Sequence, residues 1–136
     1  MFDELKKYKH QDHFFFRPDD SLRIKCNAPD ELGVYIINAL SFGQVDLVYM
    51  GASGTMQRNG NFKDQSLCSR INNKQGGMRR EDFFKMKMLA EEIEALDIYW
   101  YVTYEGANKD FPEDVERELL QKHIHLFGRL PRWNKI

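Results

Sequence analysis

The sequence has little cysteine and no long hydrophobic run, and both absences exclude whole classes of protein. Cys26 and Cys68 are the only cysteines, and they lie far apart with no metal-ligand spacing, which excludes a disulfide scaffold and a cysteine-based zinc site. No apolar run approaches the roughly 20 residues that a membrane span needs. The first residues mix both charges where a secretory signal has an apolar region. We therefore expect a cytoplasmic protein with reduced thiols and no membrane contact.

Internal repeats, low-complexity tracts and a large net charge are also missing. The 136 residues suffice for one domain with a substantial core, and 42% hydrophobic and 30% charged residues are ordinary for a globular protein. Nucleic-acid-binding domains are usually basic, so a formal net charge of −1 argues against that class.

The distribution of charge along the chain gives a different indication. Residues 56–88 carry eight basic and three acidic side chains, a net charge of +5, whereas the rest of the chain carries 12 basic and 18 acidic ones, or −6. A basic middle in an acidic frame fits one phosphate-binding face, and an ordinary solvated surface explains it equally well. The cations that we consider for DNA binding are Arg58, Lys63, Lys74, Arg79 and Arg80.

Two strand-like runs in the first half of the chain form the centre of the predicted fold. Residues 33–38 and 45–51 are rich in β-branched and aromatic side chains, and a connection containing glycine separates them, so they predict a hairpin. Side chains alternate between the two faces of a strand, which predicts that Val45, Leu47 and Tyr49 share one face.

The rest of the pattern predicts a third strand and three helices. Residues 97–104 are aromatic on both faces, so we expect an α/β fold in which helices cover both faces of a small three-stranded antiparallel sheet. Helical spacing and end signals predict helices over 63–73, 81–96 and 111–127. The apolar stripe expected for the second helix is Phe83, Met86, Ala90, Ile93 and Leu96.

The residues before this core are expected to form an N-terminal extension. We divide the chain into an extension over 1–32, which packs on the core, and a domain over 33–136. An aromatic triplet at residues 14–16 suits either a strand or a packing plug. The simplest prediction is that the extension covers one side of the sheet.

The tripeptides Gly33-Val34-Tyr35 and Tyr49-Met50-Gly51 resemble the two half-motifs of the GIY-YIG nuclease family. Two strand tyrosines taken alone are more often packing residues, but this resemblance continues to about Asn134. It implies a small α/β domain that hydrolyses DNA phosphodiester bonds with one Mg²⁺ or Mn²⁺ ion. Five positions recur in the family: the two tyrosines, an arginine on the next helix, a metal-binding glutamate on a later helix, and an asparagine near the end.

Arg70 is the match for the family's arginine. It lies in Leu67-Cys68-Ser69-Arg70-Ile71, which resembles the family's Leu-x-x-Arg-Ile helix, while Arg58 competes from a loop rich in glycine and asparagine. A guanidinium group stays charged and donates two hydrogen bonds, so it suits charge building up on a pentacovalent phosphate. A solvated helix charge is the other interpretation of Arg70.

Glu116 and Glu118 both fit the family's glutamate, and helical geometry separates them. At about 100° per residue, Glu116 falls inside the apolar arc and Glu118 falls outside it. The arc is formed by Val115, Leu119, Leu120, Leu126 and Phe127. A carboxylate on a buried face is costly unless it is paired or binds a cation. We therefore choose Glu116 as the metal ligand, with a buried structural ion pair as its alternative role.

Asn134 completes the set, since Pro131-Arg132-Trp133-Asn134 is similar to the family's Pro-x-x-Asn ending. Its amide suits a hydrogen bond to the phosphate or to a tyrosine. The resemblance assigns Tyr35 or Tyr49 to the attacking water, and the sequence does not say which. The alternative function is a catalytically inactive module of the same fold that binds nucleic acid or a protein.

Overall fold

The centre of the structure is one antiparallel sheet of four strands. The computed structural model describes residues 2–54, 66–75 and 77–134. In chain order its elements are a 3-10 helix (Asp3–Lys7), β1 (Gln11–Phe16), α1 (Leu22–Lys25), β2 (Gly33–Ser41), β3 (Gln44–Ala52), α2 (Leu67–Asn72), β4 (Lys74–Gln75), β5 (Met78–Arg79), α3 (Arg80–Ala90), β6 (Ala95–Val102), β7 (Tyr104–Glu105), β8 (Asn108–Lys109) and α4 (Pro112–Phe127). The sheet has the spatial order β1-β6-β2-β3, and β4–β5 and β7–β8 form two small hairpins.

The expectation of three strands was one strand short, because β1 belongs to the sheet. β1 pairs with β6 along its whole length, from Gln11 opposite Tyr101 to Phe16 opposite Leu96. Within the aromatic triplet the outer two rings are buried and Phe15 is 38% exposed, which is the alternation of an edge strand. The segment before Gly33 therefore extends the sheet in addition to covering it.

The central hairpin is longer than predicted because its turn is tight. Phe42 and Gly43 both have left-handed backbone angles, with φ of 48° and 75°, and they are the only residues between β2 and β3. Two left-handed residues in succession are typical of the two-residue turns that match the twist of antiparallel strands. The residues expected to form the connection, 38–44, are therefore mostly strand.

A β-bulge in β3 reverses one of the predicted faces. The pairing runs from Ile37 opposite Tyr49 directly to Asn38 opposite Leu47, so Val48 is an extra residue in β3. An extra residue breaks the alternation of side chains. Leu47 consequently packs in the cluster of one face while Tyr49 packs in that of the other, and the prediction that they share a face was wrong.

Helices cover both faces of the sheet, as predicted. One core cluster joins Tyr35 and Ile37 of the sheet to α2 and α3, while the other joins Val34, Ile36 and Met50 to α4. Residues 34–37 of β2 contribute alternately to the two clusters, so successive side chains of that strand enter different cores. β2 is therefore buried on both sides.

The second predicted helix was wrong in its end and in its buried face. α3 ends at Ala90, and Glu92 has a left-handed φ of 55°, which stops the helix before β6 begins. The buried residues of α3 are Arg80, Phe84 and Met88, whereas Met86 of the predicted stripe is 46% exposed. Spacing of four residues, and not the predicted stripe, defines the buried face.

The last helix agrees with the sequence in both of its ends. Pro112 occupies the first turn of α4, and Gly128 follows the helix in a left-handed conformation with φ of 77°. Among the described helices none combines the length and apolar character that crossing a membrane requires.

Candidate active site

Tyr35 and Tyr49 lie side by side on one face of the sheet. Their ring centroids are 5.8 Å apart, and the bulge in β3 is what turns Tyr49 toward Tyr35. Tyr35 is fully buried and Tyr49 is half-buried. Burial raises the pKa of Tyr35 and the neighbouring Tyr49 raises it further, against the opposing charges of two arginines. Tyr35 therefore keeps its hydroxyl proton at neutral pH.

The glycines of the two tripeptides are required by close contacts. Gly51 faces Tyr35 across the strand pair, and a Cβ on Gly51 would lie 2.5 Å from the Cζ atom of Tyr35. A Cβ on Gly33 would lie 1.9 Å from the backbone oxygen of Tyr101. Both distances are far below van der Waals contact. Gly51 makes room for the tyrosine ring, and Gly33 makes room for the neighbouring strand.

Arg80 is the cation that lies against both tyrosines. Its guanidinium carbon is 5.9 Å from the ring centroid of Tyr35 and 5.4 Å from that of Tyr49, within the range of cation–π interactions. The residue is 2% exposed. Among the described residues, neither its Nε nor its Nη1 atom has a hydrogen-bond partner, and the same holds for Oη of Tyr35.

The sequence analysis placed Arg80 among surface cations, whereas the structure places it inside the site. The signal that identifies it is its spacing, because Arg80, Phe84 and Met88 follow one another at intervals of four residues on one side of α3. The charge pattern alone could not find it, since a run of basic residues does not say which of them is buried.

Arg70 lies on α2, which is held by an N-cap hydrogen bond and by buried apolar side chains. The Ser66 side chain accepts a hydrogen bond from the backbone N–H of Ser69 and caps the helix, while Leu67 and Ile71 are buried in the core. Arg70 is half-buried, and its charge lowers the pKa of both Tyr35 and Glu116. It is thus electrostatically linked to the tyrosine pair and to the carboxylate.

Glu116 is half-buried on α4, whereas Glu118 is exposed, which confirms the assignment of their two faces. Burial raises the pKa of the Glu116 carboxyl group, Arg70 lowers it and Glu113 raises it. The raised pKa means that the folded protein disfavours the ionised form of Glu116. A cation bound there would remove this penalty.

Asn134 binds the backbone of the edge strand β3. Its Oδ1 atom accepts from the N–H of Met50 at 3.0 Å, and its Nδ2 atom donates to the oxygen of Met50 at 2.9 Å. The backbone N–H of Trp133 donates to the oxygen of Val48, the extra residue of the bulge. The C-terminal segment therefore fixes the backbone on both sides of Tyr49.

The other cations predicted to bind DNA lie in different parts of the chain. Arg79 is exposed and pairs with Asp82 at 3.0 Å, and Lys74 belongs to the small strand β4. Arg58 and Lys63 lie outside the described residues. The choice between Arg58 and Arg70 as the family's arginine therefore stays a prediction.

A second group of possible metal ligands lies away from the tyrosines. Of the described residues, His10, Glu31 and Glu105 form the one group of three such side chains whose ligand atoms come together. His10 Nδ1 lies 3.1 Å from Glu105 and 3.7 Å from Glu31, and all three side chains are well exposed. Exposed ion pairs of this kind contribute little and need no metal.

Comparison of the chain with protein-family models, with curated proteins and with solved structures found no match. Function therefore has to be inferred from the residues that meet at this site. Tyr35, Tyr49 and Arg80 are in contact, and Arg70 links them electrostatically to the half-buried carboxylate of Glu116 on α4.

Proposed function

We propose that the protein is a metal-dependent endonuclease of the GIY-YIG type that hydrolyses DNA phosphodiester bonds. The observation that carries the proposal is the meeting of Tyr35 and Tyr49 beside the buried guanidinium group of Arg80. Structural packing alone accounts for the tyrosine rings, but it does not account for a buried cation beside them. A reaction that develops negative charge on phosphate does account for it.

The close fit at the motif glycines supports the same proposal. The fold expected from the resemblance is a small antiparallel sheet of three strands with helices on its faces, and β2, β3 and β6 are three of the four strands of the observed antiparallel sheet. The bulge and the Gly51 contact bring both motif tyrosines to one face.

Glu116 is the residue that would hold the metal ion. Mg²⁺ keeps several waters and needs only one or two protein carboxylates beside a substrate phosphate, so a single carboxylate suits it. The raised pKa of Glu116 fits this use, because a bound cation stabilises the ionised form. When bound, Mg²⁺ or Mn²⁺ would supply Lewis-acid polarisation of the phosphate.

The two tyrosines would divide the remaining work according to their exposure. Tyr35 is fully buried with a raised pKa, so it stays protonated and acts as a hydrogen-bond donor. Tyr49 is half-buried and reaches the surface of the cluster, so it would contact and position the attacking water. The positive charge of Arg80 would stabilise the negative charge that develops on the phosphate as the water attacks. Arg70 would stabilise charge on the side nearer Glu116.

A plasmid-nicking assay tests the proposal directly. Supercoiled plasmid is incubated with the protein in Mg²⁺, in Mn²⁺ and in EDTA, and conversion to open-circular DNA is measured. We expect conversion with either metal and none in EDTA. Binding to the plasmid without cleavage under any of these conditions would support the inactive nucleic-acid-binding module instead, and absence of both would remove DNA as the partner.

A further inference from the structure

Three buried hydrogen-bond donors without partners lie together beside the tyrosine pair. They are the Nε and Nη1 groups of Arg80 and the hydroxyl of Tyr35, whose ring is 5.9 Å from the guanidinium carbon. None of the three has a hydrogen-bond partner among the described residues. Buried polar groups in folded proteins are nearly always hydrogen-bonded, and each one left unpaired costs stability. A cluster of three such donors therefore points to an acceptor that the described residues do not supply.

The charge balance around Arg80 points to an anionic acceptor. The two acids that follow Arg80 on α3 are engaged elsewhere, since Glu81 accepts from the backbone of Leu22 and Asp82 pairs with the exposed Arg79. Glu116 interacts electrostatically with Arg70. Within the described residues no carboxylate forms an ion pair with Arg80, so none of these residues neutralises its buried charge. Burying an unpaired cation costs free energy, and a bound anion offsets that cost.

We propose that Arg80 and Tyr35 together form an oxyanion pocket that holds a phosphate oxygen of the substrate. The aromatic rings fix the guanidinium group in place, and Tyr49, the half-buried member of the cluster, marks the side from which the anion enters. A tetrahedral oxyanion supplies acceptors for several donors at once, and hydrogen bonds to a charged oxygen are the strong kind. The proposal rests on the proposed nuclease function and gives Arg80 the phosphate-binding role.

The test measures binding of inorganic phosphate to the metal-free protein, so it does not depend on cleavage. The Nε–H signals of arginine side chains are followed by ¹H–¹⁵N NMR in EDTA while phosphate is added, with chloride at the same ionic strength as the control. The Arg80 signal is identified by its absence from the Arg80→Lys variant. Arg117→Met is the control, because Arg117 is an exposed arginine on α4 that pairs with Asp114 at 2.8 Å.

We expect the Arg80 signal to shift in a saturable manner with phosphate and not with chloride, in the wild type and in Arg117→Met alike. Arg80→Met should weaken phosphate binding by about 10-fold or more, as for loss of a charged hydrogen-bonding partner. If Arg80→Met does not fold, the wild-type titration alone decides. A wild-type Arg80 signal that phosphate leaves unmoved would overturn the pocket.

The two proposals can fail separately. If phosphate moves the Arg80 signal but plasmid DNA is not cleaved with Mg²⁺, the pocket stands and the nuclease function fails. If Mg²⁺-dependent cleavage is observed and phosphate leaves Arg80 unaffected, the nuclease stands and the pocket fails.

Discussion

Tyr35 illustrates how one residue can satisfy packing and leave its polar atom unused. The ring is fully buried against Gly51, yet its hydroxyl has no hydrogen-bond partner among the described residues. A residue kept only for packing would not need that hydroxyl. Phenylalanine fills the same space without the hydroxyl group. The packing of the ring and the role of the hydroxyl can therefore be measured separately.

We predict that Tyr35→Phe keeps the stability of the protein and loses most of its cleavage. The free energy of unfolding should stay the same or rise by about 1 kcal/mol, because an unpaired buried hydroxyl is removed. The cleavage rate should fall by about 10²-fold or more, as for loss of one donor to the transition state. Urea unfolding and plasmid nicking measure the two quantities. Wild-type cleavage by Tyr35→Phe would reduce Tyr35 to a packing residue.

Glu116 leads to a prediction about the pH dependence of stability. Its pKa is raised in the folded protein, so ionisation destabilises the metal-free fold as pH rises through that pKa, and the penalty is absent below the unfolded pKa of about 4.3. In EDTA, the melting temperature of Glu116→Gln relative to wild type should therefore be higher at pH 7 than at pH 4. Glu118→Gln, at an exposed position on the same helix, should show no such change. An equal difference at both pH values would contradict the burial of a costly carboxylate.

For single residues, the sequence was informative where helical spacing showed which face of a helix is buried. It did not identify a charged residue that is buried by its neighbours in the fold. The helical arc correctly separated Glu116 from Glu118 because α4 packs on the sheet through Val115 and Leu119. The same method failed for Arg80, because the apolar residues of α3 allow more than one stripe. An arginine in the buried stripe was counted as a surface charge.

The C-terminal segment shows how an element without regular structure completes the site. It runs beside the edge strand β3, and hydrogen bonds from Trp133 and Asn134 reach the backbone of Val48 and Met50. Arg132 adds ion pairs to Asp46 and Glu91. An edge strand with unpaired backbone groups is otherwise open to pairing with other chains. The segment therefore closes the edge at the position of Tyr49.

We predict that Asn134→Ala loosens this edge. Two hydrogen bonds to Met50 are lost, which should lower the free energy of unfolding by about 1–2 kcal/mol. Amide hydrogen exchange at Met50 should accelerate, while exchange at Ile36, in the protected strand β2, should change only with global stability. The matched control is Asn108→Ala in the small hairpin. Unchanged exchange at Met50 would mean that Asn134 does not hold β3.

The elements themselves were predicted unevenly, for physical reasons. The hairpin and α4 carry strong local signals, a two-residue turn with glycine and a Pro-to-Gly pair of helix ends. β1 carries only six residues, and its aromatic run does not distinguish a strand from a packed loop until β6 is beside it. The bulge at Val48 left no local signal, since Val48 and Tyr49 both favour strands.

At the scale of the whole molecule, the basic region between residues 56 and 88 contains both buried and exposed cations within its described part. Arg80 is buried with the tyrosines, whereas Arg79 is exposed beside it. Only exposed cations can exchange counterions with DNA, so the salt dependence of binding should follow Arg79 and not the total charge of the region.

We predict that Arg79→Gln reduces the slope of log K for DNA binding against log salt concentration by about 1, the contribution of one phosphate contact. Lys122→Gln is the control, because Lys122 lies on α4 and pairs with Glu4. Fluorescence anisotropy with a short DNA duplex at several salt concentrations measures the slope. If Lys122→Gln lowers the slope and Arg79→Gln does not, DNA binds across α4 instead of the basic region.

Under the proposed nuclease function, the half-buried carboxylate of Glu116 holds the metal ion, and a comparison of Glu116→Gln with Glu118→Gln is the direct test. Both variants are assayed for plasmid nicking in Mg²⁺, with circular dichroism to confirm folding. Glu116→Gln should lose cleavage by about 10³-fold or more, since the metal contributes several kcal/mol, and should still bind DNA. Glu118→Gln should cleave like wild type. A folded Glu116→Gln protein that cleaves at the wild-type rate would contradict the account.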